Sequence, residues 1–148
     1  MFIEVVNYVK DDYLESLRAI SLSPDKSDYD KLKKIVTLPF ENSFEYCNSC
    51  AFPMKMLSGL LKKDNGNLCG LITEMYSECI EVIKKILDNG VSNNIFKNNF
   101  DTWTFAMCIV GAMGGVLQQG NLHYKYKSKM ECDAQLFFLN IIDSILVK

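Results

Sequence analysis

DTWTFAMCIVGAMGGVLQQGNLHYKYKSKMECDAQLFFLNIIDSILVK, residues 101–148, is the stretch that decides the fold. Its spacing predicts two helices, Asp101 to Gln119 and Ser128 to Lys148. On the second, Asp133, Asn140, Asp143 and Ser144 share a narrow polar stripe, while Ala134, Phe137, Phe138, Leu139, Ile141, Ile142, Ile145 and Leu146 wrap most of the rest. A helix that docks on its own core needs an apolar face about 100° wide; this arc is about twice that. The first helix sets bulky Trp103, Met107, Val110 and Leu117 on one face and small Thr104, Cys108, Gly111, Ala112 and Gly115 on another. Small side chains let a second helix backbone approach closely, and glycine inside a helix otherwise costs about 1 kcal/mol relative to alanine. The small face is therefore either a seam within one chain or a contact with another, and the excess apolar surface points to the second.

Working outward, helical signals recur and no sustained strand alternation is present. Phe2, Val5, Val6, Val9, Tyr13, Leu17 and Ile20 predict a first helix ending near Ser23-Pro24. It starts without a capping residue before Phe2, the expectation for a chain entered in the middle of something longer. Ser27 and Asp30 open a second helix, with Tyr29, Leu32, Ile35, Val36, Phe40 and Phe44 inward. Pro39 lies inside that pattern, where it removes a donor and crowds a carbonyl, so a kink or a restart is expected. Asn48 or Ser49 caps a third helix through Met54, Leu57 and Leu60, and Asp64 to Gly66 is a turn. A long helix through Leu68, Leu71, Ile72, Met75, Cys79, Val82, Ile83, Ile86 and Leu87 is expected to stop at Asn89-Gly90. Asp101 and the Ser128 to Glu131 box cap the last two helices. The expectation is an all-α chain, one domain over residues 1–148 with about six helices.

Composition narrows the function classes. Lys and Arg number 16 against 18 Asp and Glu, a formal charge of -2, and Arg18 is the only arginine. Sequence-specific DNA readers lean on arginine and a basic stripe, and this chain has neither, so Lys31, Lys33, Lys34 and Lys125, Lys127, Lys129 read as solvated faces. Six cysteines, several inside helical patterns, read as thiols of a reducing, cytoplasmic chain. No leader and no apolar run of about 18 residues is present, so no membrane association is expected.

Chemistry has little to work with. Cys47-Asn48-Ser49-Cys50 has C-x-x-C spacing near a helix start, which lowers a thiol pKa, but zinc wants about four ligands and a redox motif wants a strand context. His123, the only histidine, reads as a loop residue, and Gly111, Gly114 and Gly115 lie in a helix rather than in a phosphate-binding loop. No catalytic residue, metal or cofactor is expected. A thiol-based redox sensor at Cys47 and Cys50 remains an alternative.

A long helix ending DNGVSNNIF, then the Asp-capped FDTWTFAMCIVGAMGGVLQQ and an over-apolar last helix, resembles the C-terminal ligand-binding and dimerisation domain of tetracycline-repressor (TetR) family transcriptional regulators. The opening MFIEVVNYV resembles the helix that leaves the DNA-binding head of that family. The family's helix-turn-helix head has no counterpart in this sequence, so the resemblance implies DNA contact only through a missing head. It also implies a homodimer whose last two helices form an intermolecular four-helix bundle, and a pocket for a small apolar effector. At the seam, Cys108, Ala112, Gly115, Phe138, Ile142 and Leu146 are the candidates; for the pocket, Phe40, Phe44, Leu57, Met75, Tyr76, Trp103 and Met107. A helical adaptor acting through mixed dimers on the same seam is the alternative.

Overall fold

A computed structural model describes residues 2–41, 67–122 and 127–147. The third predicted helix, with Phe44, Leu57 and the Cys47/Cys50 pair, and the loop residue His123 lie outside the described residues. The described chain is all-helical, with α1 Phe2–Ser21, α2 Asp28–Glu41, α3 Asn67–Ser92, α4 Thr102–Leu122 and α5 Lys127–Ser144.

α2 is the hub, packing against all four other helices, with α1 on α3, α3 on α4, and α4 on α5. Its apolar stripe explains the position: Leu32, Ile35 and Val36 are fully buried, and they meet Leu17 of α1, Ile83, Ile86 and Leu87 of α3, and Phe138 and Ile142 of α5 in one core. The helix begins at its expected cap, the Asp30 amide donating to Ser27 Oγ at 3.1 Å while that hydroxyl donates to Asp30 Oδ2 at 2.7 Å. It does not stop at Pro39 but runs through it to Glu41. Tyr29 donates its hydroxyl to Asp143 Oδ1 at 2.5 Å, joining the start of α2 to the end of α5 across 114 residues of sequence. Its hydrogen bond to the Asp143 carboxylate raises the Tyr29 phenol pKa, and Lys33 Nζ sits 4.1 Å from the centre of that ring.

The end of α3 departs from expectation in an instructive way. Helix continues past Gly90 to Ser92, and the left-handed residue is Asn94, with φ 57°. The Ile95 amide donates to the Gly90 carbonyl at 2.8 Å and the Asn94 amide to the Val91 carbonyl at 3.1 Å, the paired bonds of a Schellman cap with asparagine in the position glycine usually takes. Gly90 serves packing instead: a Cβ there would run into the ring of buried Phe96.

Residues 145–147 also depart from expectation, because they leave the helix. Lys97 N donates to the Ile145 carbonyl at 2.8 Å and Val147 N to the Ile95 carbonyl at 2.9 Å, forming an isolated antiparallel bridge between Phe96 and Leu146. Lys97 Nζ then donates to the Ser144 carbonyl at 2.7 Å, meeting the negative end of α5 with a cation.

Asp101 caps α4, accepting from the Thr104 amide at 2.7 Å, and that backbone donor is the main reason its carboxyl titrates below the usual range. Asp88, held by Lys84 at 2.6 Å and by the Thr102 hydroxyl at 2.6 Å, is lowered as well, chiefly by Lys84. A folded-state carboxyl pKa below its unfolded value, about 3.9, contributes stability above that value and loses it as pH falls through the folded pKa. Asp101→Asn keeps a capping oxygen and removes the titration. Its melting temperature is expected to fall less than that of the parent chain on acidification from neutral pH to about 3; equal losses would show that Asp101 does not report on folding.

Candidate functional site: the outward face of the last two helices

The 21 residues of α4 include no charged side chain. One arc, Ala106, Ile109, Val110 and Met113, is buried against the core. Beside that arc Trp103 is 45% exposed and Met107 39% exposed, and further round Thr104, Cys108, Gly111 and Ala112 are also exposed and Gly115 is half-buried. A surface helix ordinarily places charges at such exposed positions. On α5, Leu136 and Phe137 add 60% and 55% exposed apolar side chains, among polar Lys129, Cys132, Asp133, Asn140, Asp143 and Ser144.

Several expected site residues lie elsewhere. Phe138 and Ile142, expected at a seam, are fully buried in the chain's own core, where the Phe138 ring stacks on Phe40 with centroids 5.9 Å apart. Leu146 is half-buried in the bridge to Phe96. Trp103 and Met107, expected in a pocket, face outward, because Val110 and the neighbouring Ala106, Ile109 and Met113 take the core side of α4. Of the other expected seam residues, Cys108 and Ala112 are exposed and Gly115 is half-buried. Phe40 is buried, and Met75 and Tyr76 pack half-buried against the core. A Cβ at Gly114 would lie 2.8 Å from the Tyr76 hydroxyl, so the close approach within the chain occurs at Gly114, whereas Cβ atoms at Gly111 or Gly115 would meet nothing within 4 Å.

Leu136 and Phe137 are exposed apolar residues that the sequence reading does not place among the seam or pocket candidates. Four consecutive large apolar residues, Leu136, Phe137, Phe138 and Leu139, go round most of the helix, and nothing local says which points inward. The Phe40 ring selects Phe138, and Phe137 then meets Phe138 edge-on from outside, centroids 5.5 Å apart.

A groove of about 440 Å³ runs between the end of α1 and α3. It is lined by Arg18, Ser21, Leu22, Glu78, Glu81, Val82, Lys84, Lys85 and Asp88, and includes none of the expected pocket residues. Its ion pairs, Arg18 with Glu78 and Lys84 with Asp88, are internal. Its charged rim does not suit an apolar effector. Among the described residues no group of three or more His, Cys, Asp or Glu is arranged to hold a metal, and no helix is long and apolar enough to cross a membrane.

Comparison of the chain with protein-family models, with curated proteins and with solved structures yields no match. The outward face of α4 and α5 therefore carries the functional reading by itself.

Proposed function

We propose that this chain is the effector-sensing and homodimerising domain of a tetracycline-repressor-type transcriptional regulator, with the outward faces of α4 and α5 as the dimer contact. The observation that carries the self-association is the charge-free α4, which leaves Trp103, Met107, Cys108, Gly111 and Ala112 exposed. Helix order and the over-apolar last two helices support the regulator type. In this reading a small apolar effector lies on the inner side of α2 and α3, near Phe40, Met75 and Tyr76. It acts by binding one arrangement of the helices better than another, since only differential affinity shifts such an equilibrium.

The alternative, a helical adaptor acting through mixed dimers on the same seam, draws support from the Phe40 and Phe138 rings, which fill space that an effector would need. The two readings part on ligand binding. An apolar compound that raises the melting temperature of the purified chain favours the sensor, and a chain that only other polypeptides stabilise favours the adaptor.

Self-association itself is checked by light scattering across a dilution series, with the fluorescence of Trp103, the only tryptophan, recorded in parallel. The expected result is twice the chain mass of 16.9 kDa at high concentration and a red shift of the emission as dilution exposes the indole. A constant monomer mass with unshifted emission would remove the reading.

A further inference from the structure

Resting on the effector-sensing reading, we infer that α2 is hinged at Pro39 and that Phe40 is a gate, which swings off Phe138 and admits a neutral planar aromatic compound to that ring. Pro39 is buried inside α2, shortly before the helix ends at Glu41. Proline has no amide hydrogen, so the Ile35 carbonyl loses the donor that a regular helix supplies four residues on. One residue earlier, the Lys34 carbonyl accepts from the Thr37 hydroxyl at 3.3 Å, a side-chain bond of the kind that bends helices. The ladder of the hub helix is therefore weakened at two successive carbonyls just before Phe40, and proline is where helices bend most sharply.

The two stacked rings are held unequally. Phe138 belongs to α5, the end of which is tied to α2 through Tyr29 and Asp143 and to residues 95–97 by the bridge at Leu146. Phe40 stands between the proline and the end of α2. When that end turns about Pro39, Phe40 is the ring that leaves, and the face of Phe138 on which it stacks is what it uncovers. An aromatic face is best covered by another aromatic ring, offset or tilted. Leu32, Ile35, Val36, Ala134 and Ile142 belong to the same core, where a charged compound would lose its hydration with nothing to replace it. Ala134, one turn before Phe138 on the same face of α5, adds little bulk. The compound that fits is thus neutral, flat and about the size of indole. The gate also accounts for a filled core in a sensing domain: the site is closed at rest, and its apparent affinity is reduced by the fraction of chains that are open.

The test uses the full chain, with indole as the probe. Hydrogen exchange read by mass spectrometry reports on the hinge: Pro39→Ala restores the missing donor and is expected to slow exchange over residues 36–41 at least about 10-fold. Isothermal titration calorimetry reports on the gate. Relative to the parent chain, indole is expected to bind about 10-fold more weakly to Pro39→Ala, which opens less often, and about 10-fold more tightly to Phe40→Ala, in which no ring has to leave. Far-UV circular dichroism confirms that each variant folds, and Phe40→Leu, which keeps more of the core volume, stands in if Phe40→Ala does not. Unchanged exchange in Pro39→Ala overturns the hinge. Slowed exchange with one indole affinity in all three chains overturns the gate and leaves the effector-sensing reading standing. No binding of indole to the parent chain or to the Phe40 variant overturns the site on Phe138; the effector-sensing reading falls with it only if a wider set of apolar compounds also leaves the melting temperature unmoved.

Discussion

Phe138→Ala is expected to lower the unfolding free energy by about 3 to 5 kcal/mol, the range for deleting a buried phenylalanine ring and leaving its cavity. The ring is fully buried, stacked on Phe40 of α2 with centroids 5.9 Å apart and an interplanar angle of 24°. It lies where α5 meets α2, so the surrounding helices would have to shift to fill the space. A single domain has only about 5 to 15 kcal/mol to lose, so the variant should approach the edge of folding. Urea unfolding gives the answer through the midpoint at unchanged slope. The neighbouring Phe137→Ala makes the contrast. Its side chain is 55% exposed, and the same measurement under dilute conditions should show a change within about 1 kcal/mol. Comparable losses at both positions would mean that α5 is rotated from the orientation described.

Gly90→Ala is expected to destabilise the chain by about 1 to 3 kcal/mol, the usual cost of forcing extra volume into a packed core. That sign is opposite to ordinary helix behaviour, in which replacing glycine by alanine gains up to about 1 kcal/mol. The reversal comes from Phe96. Its ring occupies the place of the missing Cβ and is almost wholly buried. Its backbone is held by a bond from its own amide to the Gly90 carbonyl at 3.1 Å and by the bridge to Leu146. Neither ring nor loop can retreat without breaking the Schellman cap or opening the core. Gly70, on the same helix, is exposed, and a methyl group placed there would meet nothing within 4 Å, so Gly70→Ala should follow the ordinary rule and stabilise. Thermal melts of the two variants side by side separate packing from propensity; the same sign in both would show that Phe96 gives way freely.

Much of the helical architecture is legible locally. Apolar spacing locates α1, α2, α3 and the last two helices, because a 3.6-residue repeat is written in each segment separately. Ser27 and Asp101 are legible as caps because capping uses only bonds to residues three positions on. Caps and helix ends differ from expectation mainly where a distant residue intervenes. Gly90 reads as a terminator, yet Phe96 explains it, and Asn94 takes the left-handed turn. Ser128 reads as the cap of α5, yet the helix already includes Lys127. Ile145 to Val147 read as helix, and a bridge to residues 95–97 draws them away.

The candidate site divides along the same line. That α4 lacks charge, and that its row runs from Trp103 and Met107 to Gly111 and Gly115, is a property of the sequence alone, as is the excess of apolar side chains on α5. Which arc of each helix turns inward is decided only in three dimensions. Angular spacing fixes where side chains stand relative to one another on a helix, but rotating the whole helix about its axis leaves that spacing unchanged. The rotation is set by contacts between residues far apart in the chain: Phe40 with Phe138, Tyr29 with Asp143, and Tyr76 beside Gly114. Those contacts put Phe138 and Ile142 in the core and leave Trp103, Met107, Leu136 and Phe137 facing outward.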